Sequence, residues 1–163
     1  PYTTLFRSRK DKMTEPAYRD ITDDMIPEVT DGKSTVRIIS GRYREKVGPV
    51  QGDYVKTLYL DVRIDPEGTW HMSVDPEATL FCYLVSGSGR FDASDSVIPS
   101  HRAVLLVDGD EVTIVAGKEG LRFLFISGRP LREPIAWGGP IVMNTREELH
   151  QAFKDLDEGN FIR

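Results

Sequence analysis

The sequence predicts an all-β chain, an antiparallel barrel or sandwich carrying one short C-terminal α-helix. Three observations lead there. From residue 35 onward, short runs rich in β-branched and aromatic residues recur at close and fairly regular spacing. Glycine, aspartate and proline punctuate those runs at turn spacing. Helical periodicity is convincing in a single segment, near the C-terminus. At 163 residues the chain is long enough to bury a core as one domain without covalent staples.

Taken in order, the first eight residues, PYTTLFRS, are polar, unpatterned and unlike the rest of the chain. They read as the in-frame translation of a common sequencing-adapter oligonucleotide, and residues 1–8 are set aside from the fold. Native sequence is then expected from near Arg9, with the gene continuing upstream. Residues 9–34 are charged and proline-punctuated, which suits a linker or an arm lying over a surface. The strand runs come next: TVRIIS (35–40), TLYLDVRI (57–64), TWHMSV (69–74), LFCYLVSG (80–87) and RFDA (90–93). SVIP (96–99), AVLLV (103–107), EVTIVAG (111–117) and LRFLFISG (121–128) complete the set. DPEG at 65–68 and VDGDE at 107–111 read as turns, with Pro66 presetting φ and the glycines supplying positive φ. SGSGRF at 86–91 lacks the lysine and following helix of a phosphate loop, so it reads as a tight hairpin.

The helix is predicted over 145–158. Thr145 and Glu148 stand in capping-box spacing, and Leu149, Phe153 and Leu156 recur at i, i+4, i+7. Gly159 is the expected stop. The apolar stripe must pack on something, either its own barrel or a partner domain.

Composition narrows the function classes. A net charge of −5 with both signs scattered presents no basic face for nucleic acid. No apolar run approaches membrane-spanning length. The single cysteine, Cys82, excludes an intrachain disulfide and fits a reducing compartment, so the cytoplasm is the default expectation. Cys82 shares parity with Leu80 and Leu84, which makes it a small buried hydrophobe rather than a nucleophile. His71, His101 and His150 fall on a strand, a turn and the helix, so they do not converge on a metal. Tyr59, Trp70, Phe81, Tyr83 and Phe91 could line a pocket or fill the core, and the pattern leaves both open.

The stretch GTWHMSVDPEATLFCYLVSG, residues 68–87, resembles the first motif of the cupin superfamily, a small jelly-roll barrel. In that motif a glycine precedes H-x-H, a glutamate and a closing glycine, and strand alternation turns both imidazoles to one face. Here the spacing runs from Gly68 through Val74, Pro76 and Leu80 to Gly87. The second cupin motif aligns weakly over His101, Val107, Asp108 and Gly109, with Val112 at its histidine and Ala116 at its asparagine. Val74, Pro76, Leu80 and Val112 offer no imidazole, carboxylate or thiolate, so no metal is expected among them.

The tail GRPLREPIAWGGPIVMNTREELHQAFKDLDEGNF, residues 128–161, resembles the C-terminal signature of the pirin family. Its elements here are Gly128, Pro130, Leu131, Glu133, Pro134, Gly139, Pro140, Val142, Met143, Asn144 and Thr145, then Gly159 and Phe161. The segment DKMTEPAYRDITDDMIPEV resembles the connection between the two cupin barrels of pirins. The resemblance implies a C-terminal cupin domain over 35–163. In the family the N-terminal barrel holds Fe(II) or another divalent metal on three histidines and a glutamate, and the C-terminal barrel has lost its ligands. No catalytic, cofactor-binding or metal residue is therefore carried over to this chain. Some bacterial pirins resemble quercetin 2,3-dioxygenases, and others are redox-responsive regulators. The expectation is a metal-free barrel that packs against and supports the N-terminal cupin of the same parent, with a regulatory protein as a further partner. The alternatives are a stand-alone small-ligand-binding cupin and a regulatory protein-binding domain.

Overall fold

Two long strands organise the barrel, each of which looks in the sequence like a pair of shorter ones. The structure is a computed structural model that describes residues 8–14, 18–52, 55–91 and 96–161. Strand β7 runs unbroken over Thr79–Phe91 and strand β10 over Glu111–Gly128. The expected hairpin at 86–91 is thus the C-terminal half of one strand, and EVTIVAG and LRFLFISG are two halves of another. Glycine is the source of the difference, because here it serves bulges rather than turns. Gly87 has φ +76°, and a Cβ built on it would stand 2.1 Å from the carbonyl oxygen of Gly120. Gly120 has φ +78° in turn, and the β7–β10 register shifts between Ala116 and Leu121. Such bulges bend a strand and let it pass from one wall of a sandwich to the other.

The remaining strands dock on this pair. Strand β6 (Thr69–Ser73) pairs with the first half of β10, and β5 (Thr57–Ile64) pairs with the second half. Strand β2 (Ser34–Ser40) pairs with β5, and β1 (Glu28–Asp31) with β2. Strands β8 (Ile98–Pro99) and β9 (Ala103–Leu106) pair with opposite halves of β7. A small hairpin, β3 (Arg42–Tyr43) with β4 (Lys46–Val47), stands apart. All named pairings are antiparallel. The stretch expected as an arm over 9–34 therefore contributes a strand at Glu28–Asp31, although its proline and charges hide that from the pattern. Residues 1–7, set aside as adapter-derived, and Asp92 and Ala93 of the RFDA run lie outside the described residues.

Alternation builds the core. Leu80, Cys82 and Leu84 point inward from β7, Val112, Ile114 and Ala116 from the first half of β10, and Phe123 and Phe125 from its second half. Trp70 meets Phe123 and Phe125 edge-on, with centroids 5.6 and 5.5 Å apart, and its indole N–H donates to the Tyr43 hydroxyl at 3.1 Å. Trp70 and Phe91 are core, while Phe81 and Tyr83 face outward. Asp61 also points away from the core, yet it is nearly buried, and Arg122 grips it with two hydrogen bonds of 2.9 and 2.7 Å. Burial, then the nearby Asp61 carboxylate, raises the Tyr59 hydroxyl above its ordinary pKa.

Both predicted turns form with a shifted detail. The left-handed residues are Glu67 and Asp108, each at φ +57°, not the glycines that come after them. Gly68 is required for another reason, since a Cβ there would stand 2.8 Å from the side chains of Ile64 and Lys33.

The chain divides into two compact units: residues Ile21–Pro130, and a second unit from residues up to Asp20 and from Leu131 onward. The second unit has its own core. Strands β11 (Ala136–Gly138) and β12 (Ile141–Met143) form a hairpin, and helix α1 (Arg146–Asp157) lies on it. Ile141, Met143 and Ala152 are buried there, with Leu149, Phe153 and Phe161 packed around them. Ala152 takes the place foreseen for Leu156, which is about half exposed. Gly138 permits the close approach, because a Cβ there would meet the Phe153 ring at 3.1 Å.

Thr145 caps α1 through its hydroxyl, which accepts from the Glu148 N–H at 3.1 Å, and the Glu148 carboxylate accepts the Thr145 N–H at 3.0 Å. Gly159 follows in the left-handed conformation. Glu148 also receives the Arg9 guanidinium at 2.7 Å. Chiefly this arginine, with the Asn144 and Thr145 N–H groups, holds the Glu148 carboxyl below the ordinary glutamate range. A carboxyl depressed in the folded state stabilises above its unfolded pKa, and that contribution disappears as pH falls through the lowered value. The tail unit is accordingly expected to loosen on acidification below the ordinary glutamate range. Glu148→Gln should flatten that dependence, as followed by amide exchange along α1; an unchanged profile would remove Glu148 from the account.

Candidate functional site

The four positions that align with cupin ligands come together at one end of the barrel. Strand β6 stops at Ser73, and Val74 leaves the sheet with its N–H donating to the Asp110 carbonyl at 2.7 Å. Asp75 then shapes the loop: its Oδ1 accepts the Glu77 N–H at 3.0 Å and its carbonyl accepts the Ala78 N–H at 3.0 Å. Strand β7 begins at once and buries Leu80. Opposite, β9 ends at Leu106 and a four-residue loop leads into β10 and the buried Val112. Between these loops lies a cavity of about 310 Å³. Leu80 and Val112 are its most buried lining, and Val74, Ala78 and Leu106 surround them. Pro76 and Val107 form the outer wall, and Asp75, Asp108 and Glu111 stand at the mouth.

Val74, Pro76, Leu80 and Val112 thus line a single cavity, and none of the four carries a donor atom. Among the described residues no three histidine, cysteine, aspartate or glutamate side chains gather to hold a metal ion. A divalent metal does not fit this donor set. The other residues singled out in the sequence lie elsewhere. His71 sits on the outward face of β6, His150 is exposed on α1, and Cys82 is buried in the core. His101 occupies the glycine position of the second motif and adopts φ +61°, the left-handed backbone that glycine usually supplies. Asp108, at φ +57°, turns the chain just before Gly109, the one motif residue retained there.

The mouth is charged. The Glu77 N–H, then Arg129, holds the Asp75 carboxyl below its ordinary range. Arg129 reaches Asp75 at 2.7 Å and Glu77 at 3.4 Å. Sequence reasoning misses this mouth, because its residues come from two loops that only the fold brings together. A second surface feature is apolar. On the outer face, Phe81 of β7 sits opposite Leu105 of β9 on one side and Ile126 of β10 on the other. Phe81, Tyr83 and Leu105 are all exposed, Leu105 by 63%. In the tail unit Trp137 is likewise exposed, by 74%.

The family model described as the pirin C-terminal cupin domain matches residues 59–162. The chain belongs to the pirin family. Human pirin is 41% identical over 154 residues, spanning 90% of this chain and 51% of the human protein. A protein named putative quercetin 2,3-dioxygenase from Thermoplasma acidophilum is 34% identical over 160 residues, 93% of this chain and 60% of that relative. Among solved structures, quercetin 2,3-dioxygenase from Acinetobacter baumannii matches with a TM-score of 0.85 at 26% identity, over 95% of this chain and 54% of that one. The chain therefore spans about half the length of the relatives it matches.

The pirin signature has a structural explanation in the tail unit. Asn144 is buried, and its Nδ2 donates to Glu133 at 3.1 Å and to the Pro134 carbonyl at 2.9 Å. Glu133 also accepts the Arg9 N–H at 2.8 Å. Gly139 and Pro140 make the tip of the β11–β12 hairpin, with Gly139 at φ +52°, and Met143 is core. Gly128 ends β10, and Pro130 follows it out of the sheet. Among the described residues no helix is long and apolar enough to cross a membrane.

Proposed function

We propose that this pirin cupin is a metal-free barrel that packs against a second, metal-bearing barrel of the same parent protein and supports it. The observation that carries the reading is the convergence of Val74, Pro76, Leu80 and Val112 on one cavity with hydrocarbon at every ligand position. A barrel with that interior serves by packing, and the chemistry then belongs to its partner. The parent is a quercetin 2,3-dioxygenase-like metalloprotein holding Fe(II) or another divalent cation in its other half, and the cytoplasm suits its single buried cysteine. The exposed strip of Phe81, Tyr83 and Leu105 is the surface offered to the partner, since apolar patches of this kind mark contact sites.

Two measurements test this. After incubation with Fe(II) or Zn(II) and dialysis, the purified chain should retain far less than one metal per molecule; stoichiometric metal would sink the reading. The chain should also bind the half of the Acinetobacter baumannii enzyme that it does not cover, as seen by sedimentation. Leu105→Glu should weaken that association by at least about tenfold, the loss of one buried apolar anchor. Full binding by the variant would exclude this face.

A further inference from the structure

The cavity at the end of the barrel combines apolar side chains within and a predominantly acidic mouth. Leu80, Val112, Val74 and Leu106 line its inner end, and its volume of about 310 Å³, open on one side, admits a small organic molecule. The two loops that frame the mouth carry four carboxylates, Asp75, Glu77, Asp108 and Asp110, and the first residue of β10 adds Glu111. Against them stands the Arg129 guanidinium, already paired with Asp75 and Glu77. Asp108, Asp110 and Glu111 have no ion-pair partner among the described residues. Five carboxylates against one guanidinium leave an excess of negative charge at this opening. Low-dielectric walls focus such a field into the cleft, so the site discriminates by charge as well as by shape.

We infer that this cavity binds a small organic cation, an amine whose apolar body fills the barrel end while its ammonium meets Asp108 and Glu111. An anion of the same shape is repelled by both carboxylates. A neutral isostere gains the apolar contact and lacks the ionic one. The inference is independent of the packing role, because it concerns the barrel mouth rather than the outer strip, and either can fail alone.

Three probes of nearly equal shape and different charge test it: benzylamine, benzyl alcohol and benzoate, each titrated into the full chain and followed by methyl resonances. Benzylamine should give saturable shifts at Leu80, Leu106 and Val112, with a dissociation constant on the order of 1 mM for so few atoms. Benzyl alcohol should bind about tenfold more weakly, and benzoate should cause no saturable shift. Asp108→Asn combined with Glu111→Gln should bring benzylamine down to the level of the alcohol. Glu45→Gln combined with Glu119→Gln, remote from the mouth, should leave it unchanged. The mouth substitutions are at exposed positions, so the circular dichroism of the variant should match that of the unsubstituted chain. Equal binding of the three probes, shifts confined to residues outside the cavity, or no saturable shift with benzylamine overturns the proposal.

Discussion

Gly87→Ala is expected to lower the unfolding free energy by about 3–5 kcal/mol, measured as a fall in the urea midpoint. Two effects combine. At φ +76° an L-residue is strained, by about 1–2 kcal/mol. The new methyl would also stand 2.1 Å from the Gly120 carbonyl oxygen, a backbone atom of the facing strand. Neither strand can retreat without breaking the ladder that joins β7 to β10. Gly32→Ala separates the two effects, because Gly32 has φ +56° with nothing within 4 Å of the added carbon. That variant should lose only about 1 kcal/mol. Gly128→Ala, whose Cβ would meet Thr57 at an ordinary 3.5 Å, should be close to neutral. Equal midpoints for Gly87→Ala and Gly32→Ala would show that the bulge yields readily.

The second large effect is a gain. A variant combining Val74→His, Pro76→His, Leu80→Glu and Val112→His is expected to hold stoichiometric Zn(II) or Ni(II), with a dissociation constant on the order of 1 µM. The four positions already line one cavity, and Leu80 and Val112 are set on strands that fix their direction. Without metal the variant should be destabilised, since a carboxylate and an imidazole would replace hydrocarbon in the most buried part of the cavity. Metal should then raise its melting temperature well above that of the metal-free form, as binding to the folded state requires. Val112→His alone should show the destabilisation without the rescue. If the fourfold variant neither retains metal on dialysis nor responds to it in melting, the backbone has drifted from ligand geometry although the spacing survives.

Legibility in the sequence depends on period. Strand β5 is legible to the residue, because TLYLDVRI places Leu58, Leu60, Val62 and Ile64 on one face without interruption. The capping box is legible because it is local, needing only Thr145 and Glu148 at the right separation. Glycine is the ambiguous letter. Gly87 and Gly120 look like turn residues to any local reading, and only the contact between them shows that they bend two strands in place. The β11–β12 hairpin escapes notice because AWGGPIVM offers three-residue strands around a Gly-Pro tip, too short for alternation to register. Leu156 is misplaced for a related reason: a stripe read at i, i+4, i+7 ignores Ala152, which is buried with Ile141 and Met143 in the core of the tail unit. At the candidate site, spacing alone locates the four ligand-aligned positions. The acidic mouth needs the fold, because Asp75 and Glu111 are 36 positions apart and meet through two loops.

The passage of β7 and β10 through both walls also decides how this barrel comes apart. In a sandwich of independent sheets, one sheet can fray while the other persists, and amide exchange separates them. Here the hydrogen bonds of β6 and of β5 are made to the same strand, so opening either wall strips partners from the other. Protection against exchange should therefore be nearly equal in the two paired stretches of β10, 112–116 and 121–125, and should vanish from both in a single cooperative event. A barrel of that kind offers no half-open state for proteases, and its tolerance of change is confined to the loops at its ends.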